Sequence, residues 1–401
     1  MKNKKLRIKK CSILLAAVLA LVLRAPAFAQ ELKLSGEAKT GVYWEQVQNE
    51  GAAPAAKVDI QSKNDDAGSG HGRFRLNLNY DNGNNFGMRM RLNWENWSFS
   101  NTNAPPEWTY AFGYGNFFED QLTVSVGKLG ASPWGTGGPE MWKELETGGA
   151  GGIRTEYKPS FVPGQLNVGF VLNYFNQDRD FGWPEGKPLS LLNILGESII
   201  GASYTHDLFL ARVAYRFDDE YDSTQENKGR ENKGKGEDEF VYRVEERVLK
   251  NFLPGFQVWA IGYIFGLTAP LPEMQLFRNW IFVQYAPEQF TAQLRFGLDY
   301  ITKRGEFLIK PSFYYNLFDK LLTAGVAFTY CQDFGDGKVY KDSPYLYLEF
   351  EPKIQINFQS SYIAFVYNFN QAYKQRWEGL RPDKDPLSQT QWMNLRFCIY
   401  F

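Results

Sequence analysis

The chain of 401 residues is poor in the side chains that most often carry chemistry or cross-links, with three cysteines and two histidines. Cys11 falls in a leader-like segment, so Cys331 and Cys398 are too few for a disulfide scaffold. His71 and His206 have no partner at a metal-ligand spacing, and no metal site is expected. The glycine-rich stretches 68–72 and 148–152 lack the Lys-Ser/Thr of a phosphate loop, so no cofactor is expected either. A catalytic base would need a histidine held by a carboxylate near a nucleophile or activated water. Only His71, close to Asp65 and Asp66, approaches that arrangement, and the chain reads as no enzyme. Beyond residue 29 there is also no run near the ~20 apolar residues of a spanning helix. The longest, 256–271, is broken by Gly262, Gly266 and Pro270, which excludes a helical membrane protein.

One more absence is local. Residues 1–29 contain seven basic residues and no acid, followed inside that segment by an apolar run from Cys11 to Leu23 and by Ala27-Phe28-Ala29. Basic, greasy and small residues in that order read as a secretory signal peptide cut after Ala29, leaving 30–401 as one mature domain. The formal charge of −1 then conceals an acidic mature chain, which excludes a generally basic nucleic-acid binder.

What the chain does have is 37 glycines, 16% aromatic residues and a period of two. From Glu31 to Trp44, Leu32, Leu34, Ala38, Val42 and Trp44 alternate with Lys33, Ser35, Glu37 and Lys39. The pattern returns in Arg73 to Tyr80 and in Phe86 to Glu95, joined by Asp-Asn-Gly-Asn-Asn, as a hairpin of long amphipathic strands. The same rule along the chain predicts 18 strands, or 16 if 343–369 is divided differently. Short links (81–85, 116–120, 159–164, 251–255, 286–289, 316–320) alternate with long polar ones (48–70, 130–151, 177–197, 218–238, 332–343, 371–390).

Two all-β architectures fit an exported chain of this kind, a soluble sandwich and a transmembrane antiparallel barrel. Strands longer than the usual ~5 to 6 residues favour the barrel. So do aromatics near strand ends on the apolar face, among them Trp44, Tyr80, Trp94, Trp108, Tyr110, Tyr114, Tyr204, Tyr215, Tyr300 and Tyr330.

Both ends resemble the bacterial outer-membrane porin family. Leu32 to Tyr43 is similar to the first porin strand, with Gly36 and Gly41 in place. Asn394 to Phe401 resembles the barrel-assembly signal, with Arg396 where that signal has Gly. Tyr110 to Lys128 is similar to the hairpin before the third long loop, which in the family folds inward and narrows the pore. The resemblance implies short periplasmic turns, long extracellular loops, an inserted loop at about 129–151, a homotrimer, and recognition of Phe401 by the barrel-assembly machinery.

In such a barrel the positions facing inward include Arg73, Arg75, Arg89, Arg91, Arg154, Arg212, Arg216, Arg243, Arg247 and Arg295. The third loop holds Glu140, Glu144 and Glu146 beside Trp134, Met141 and Trp142. A basic wall facing an acidic loop would set a transverse field at a constriction. The expected function is a passive diffusion channel for small hydrophilic solutes, possible anions among them, and the alternative is a surface-exposed adhesin or structural barrel. A sugar channel would show a ladder of inward rings, and the pattern offers only scattered ones such as Phe175 and Trp259. Cys331 and Cys398 are expected to face inward near opposite ends of their strands and to stay unbridged.

Overall fold

The computed structural model describes residues 31–49, 52–60, 72–83, 85–97, 106–129, 151–175, 198–217, 238–267, 276–301, 304–335, 346–373 and 388–401. The expected leader over 1–29 lies outside them, as does the segment 129–151 apart from its two ends.

The strands run in chain order as β1 (Glu31–Asn49), β2 (Ala55–Ile60), β3 (Gly72–Asp81), β4 (Phe86–Trp97), β5 (Glu107–Phe117), β6 (Leu122–Lys128), β7 (Gly151–Tyr157), β8 (Gln165–Phe175), β9 (Ile199–Thr205) and β10 (Phe209–Arg216). They continue as β11 (Glu239–Glu246), β12 (Phe256–Phe265), β13 (Leu276–Tyr285), β14 (Phe290–Ile301), β15 (Arg304–Leu317), β16 (Leu322–Gly335), β17 (Leu346–Phe358), β18 (Ser361–Tyr373) and β19 (Ser388–Tyr400). Each pairs antiparallel with its neighbours, and β1 pairs with β19, so the sheet closes on itself.

Although there are 19 segments, the barrel has 18 staves. β3 pairs with β1 from Glu31 to Lys39, and β2 takes over from Val42 to Val47, so the two form one interrupted stave. The ambiguous stretch 343–369 resolves into β17 and most of β18, joined by a two-residue turn, which settles the count at 18 rather than 16. β11 ends at Glu246 and the expected link 251–255 starts earlier, because Val248–Phe252 forms one helical turn, α1.

Alternation sets the two faces. Val42 is 51% exposed on the outer surface while its neighbour Tyr43 is 1% exposed on the inner one. Each stave pairs with both neighbours along its length, which is the condition for crossing hydrocarbon. The seam is fastened at the short-turn end, where Gly36 and Phe401 exchange both backbone hydrogen bonds (2.7 and 3.1 Å). A Cβ on Gly36 would lie 2.5 Å from the Phe401 ring, so the glycine provides the space that this ring covers before it stacks on Phe74.

Two short turns are near-copies, Asn116-Phe-Phe-Glu-Asp-Gln-Leu-Thr123 and Asn316-Leu-Phe-Asp-Lys-Leu-Leu-Thr323. Each holds three successive residues at positive φ, Phe118 to Asp120 and Phe318 to Lys320. Such a run costs about 1–2 kcal/mol per residue. It is supported identically in both, by Thr123 donating to Asn116 (2.9 Å) and Thr323 donating to Asn316 (3.0 Å).

Candidate functional site: the inner wall

Three stretches of the inner wall differ in chemistry. On β1 and β3, Glu37 gathers Lys39 (3.2 Å), Arg73 (2.7 Å) and Arg75 (3.5 Å), so the first two expected arginines sit in one charged cluster. Arg75 also donates to Asn93 (3.1 Å) and Arg91 to Asn77 (2.7 Å), linking β3 and β4.

β5 turns three rings, Tyr110, Phe112 and Tyr114, onto this same face, in register with Arg91, Arg89 and Gly87. Arg91 lies over Tyr110 (5.0 Å), Arg89 over Tyr114 (5.1 Å) and Arg154 over Phe112 (5.3 Å). The neighbours make room for this. A Cβ on Gly87 would meet the Tyr114 hydroxyl at 2.3 Å, and β6 offers only Ser125 and Gly127 between Arg154 of β7 and Phe112. Arg154 also pairs with Glu156 (3.2 Å), which accepts from Asn167 (3.0 Å).

This corrects the placing of Tyr110 and Tyr114 on the lipid face. Trp108, opposite Leu92, faces outward as expected. The register then slips between Arg91 and Leu92, so that two steps on β5 match one on β4. A bulge of one residue carries Tyr110 to the opposite face although its parity equals that of Trp108.

The second stretch, on β8 to β13, carries an apolar cluster. Val171, Ile199, Ala214, Val241, Ile261 and Tyr263 form a buried cluster with Trp259, Trp280 and Phe282, joined by Leu129 at the end of β6. Trp259 and Phe282 are stacked at 4.9 Å, and Arg295 lies over Trp280 (4.7 Å). Inward rings are therefore numerous rather than scattered. Apolar residues occupy both parities of β12 and most of β13, which weakens the alternation that assigns a side to Trp280 and Phe282.

The remaining expected arginines are distributed along β10 and β11. Arg212 and Arg243 are direct cross-strand neighbours, Arg216 pairs with Glu239 (3.0 Å), and Glu245 lies between Arg243 (3.9 Å) and Arg247 (3.6 Å).

The third stretch, β13 to β18, is acidic and paired. Arg278, which the pattern missed, donates to both carboxylate oxygens of Asp299 from Nε (2.8 and 2.9 Å). Asp299, Glu306 and Asp333 are successive register partners. Lys310 faces Glu349 (3.9 Å), and Asn368 donates to Glu351 (3.0 Å).

Glu140, Glu144 and Glu146, with Trp134, Met141 and Trp142, lie outside the described residues, as do His71 and its flanking aspartates. His206 sits in the β9–β10 turn, stacked on Tyr204 and accepting the Leu208 amide (3.3 Å). Cys331 and Cys398 are free thiols on the inner face.

No protein-family model and no curated protein matches the chain. Solved structures do. Pseudomonas aeruginosa OccK2 (OpdF), crystallised in complex with glucuronate, matches with a TM-score of 0.53 over 94% of this chain and 100% of that one, at 9% identity. A mutant of the Rh. blastica porin matches with a TM-score of 0.45 over 92% of this chain and 100% of that one, at 11% identity. The likeness is one of fold.

Proposed function

We propose that this porin-fold chain, an integral outer-membrane barrel, is a passive diffusion channel for small hydrophilic solutes that favours anions. The observation that carries the reading is the contrast between the two faces of one closed wall. Outside, large apolar side chains are exposed around the barrel; inside, arginines and carboxylates line it. Lipid solvates the first face and water the second.

The proposal extends to a constriction formed by the third long connection, with Glu140, Glu144 and Glu146 opposing Arg73, Arg75, Arg89, Arg91 and Arg154. Leu129, the last described residue before that connection, supports an inward course, since it is 1% exposed and packs in the apolar cluster of the inner wall. The resemblance to porins adds a homotrimer and handling through Phe401.

Purified protein in a planar bilayer is expected to give stepwise conductance. Absence of conductance would remove the channel and favour the adhesin or structural barrel. Changing Glu140, Glu144 and Glu146 together to Gln is expected to shift conductance and ion selectivity; no shift in either would remove the constriction.

A further inference from the structure

The stack of rings and guanidinium groups along β5 is unusual in how it treats charge. An inward arginine most simply neutralises itself on a carboxylate. Among the described residues neither Arg89 nor Arg91 has a carboxylate within ion-pair distance; Arg91 spends its Nε on Asn77, and both lie on tyrosines. A ring attracts a cation without cancelling its charge, because the ring carries a quadrupole and no net charge. The two arginines are half-buried, so they keep access to the lumen. They are neighbours on one face of β4, about 7 Å apart along the strand. Arg154 reaches the middle ring from the other side with 20% of its side chain exposed.

Stacking also fixes orientation. A guanidinium laid flat on a ring has one face covered and keeps the opposite face and its N–H edges, which suit a second planar group and a carboxylate respectively. Bare rings would suit sugars. Here each ring has an arginine over it, with the guanidinium carbon 5.0–5.3 Å from the ring centre, so the surface offered to solutes is a row of positive groups about 14 Å long.

We propose that β5 is a selectivity track for planar anions, aromatic and conjugated carboxylates, in which Arg89, Arg91 and Arg154 make the contact and Tyr110, Phe112 and Tyr114 are positioning residues. This rests on the channel reading. Among the described residues Arg89 and Arg91 rest on rings with no carboxylate partner, whereas Arg154 both lies over Phe112 (5.3 Å) and pairs with Glu156 (3.2 Å).

The test compares benzoate with cyclohexanecarboxylate as blockers of KCl current through the full-length protein in planar bilayers. The two have equal charge and similar size, but only one is flat. Benzoate is expected to half-block at a concentration about two- to fivefold lower, the worth of one cation–π contact. Tyr110→Leu/Phe112→Leu/Tyr114→Leu is expected to abolish the difference while conducting KCl. Tyr110→Phe/Tyr114→Phe, which keeps the rings and removes the hydroxyls, is expected to preserve it. If the triple variant inserts no channels, Tyr110→Leu and Tyr114→Leu singly are each expected to reduce the difference. Equal block by the two anions in the unmodified channel would overturn the track and leave the channel standing, as would leucine variants that retain the full difference. No KCl conductance in the unmodified protein would overturn both.

Discussion

The walls around β5 and around β14 lie nine staves apart in either direction round the barrel, and they differ in how they hold most of their charge. Around β5, cations rest on rings and amides. Around β14, Arg295 also lies over a ring, that of Trp280, but the cation Arg278 is locked onto Asp299, and the neighbouring carboxylates Glu306 and Asp333 continue the row. The first arrangement leaves Arg89 and Arg91 half-buried without a described carboxylate partner, whereas the second holds Arg278 in an ion pair among carboxylates that are themselves buried, Asp299 and Asp333. The proposed transverse field would then draw on carboxylates of the β14 side of the wall as well as on those of the third connection. The sequence reading puts the opposing acid on that connection, although Asp299 shares the parity of the inward Arg295 on β14; only Arg278, on the weakly alternating β13, lacks a legible side.

Breaking the contrast at β14 should have the largest effect. Arg278→Met leaves Asp299 buried without its partner and is expected to cost about 3–5 kcal/mol of stability, read by urea unfolding in lipid vesicles. Adding Asp299→Leu should recover most of it, since an apolar pair of similar volume replaces a buried ion pair at little cost. The matching change at β5, Arg89→Met, removes a cation–π contact and is expected to cost only about 0.5–1 kcal/mol. Similar losses at the two sites would mean that both arginines serve the same structural purpose.

How far the sequence showed this arrangement depends on how cleanly each strand alternates. β1, β3 and β4 carry arginine, lysine and asparagine on one parity and leucine, methionine or phenylalanine on the other, so their facing was plain, and Arg73, Arg75, Arg89 and Arg91 lie where alternation puts them. The twin turns at Asn116 and Asn316 were legible too, as short polar breaks between long strands. Facing was lost where a local irregularity carries no composition signal. The bulge before Tyr110 is one such place: nothing in Glu-Trp-Thr-Tyr tells that Thr109 is an extra residue, so rings that back the arginines read as a lipid girdle. The apolar cluster on the inner wall of β8 to β13 is the other, since Ile261, Trp280 and Phe282 face the lumen but would suit lipid equally well by hydropathy. The interrupted stave of β2 and β3 was missed because a strand of six residues rich in alanine resembles the loop around it.

The central claim is that positive charge on the β5 side remains available to ions in the lumen. Reversal potential in a KCl gradient tests it most directly, for the unmodified channel and for Arg89→Gln/Arg91→Gln/Arg154→Gln. The account predicts an anion-selective channel whose permeability ratio falls on the order of tenfold in the triple variant. A cation-selective unmodified channel, or a ratio that the three substitutions leave unchanged, would contradict it.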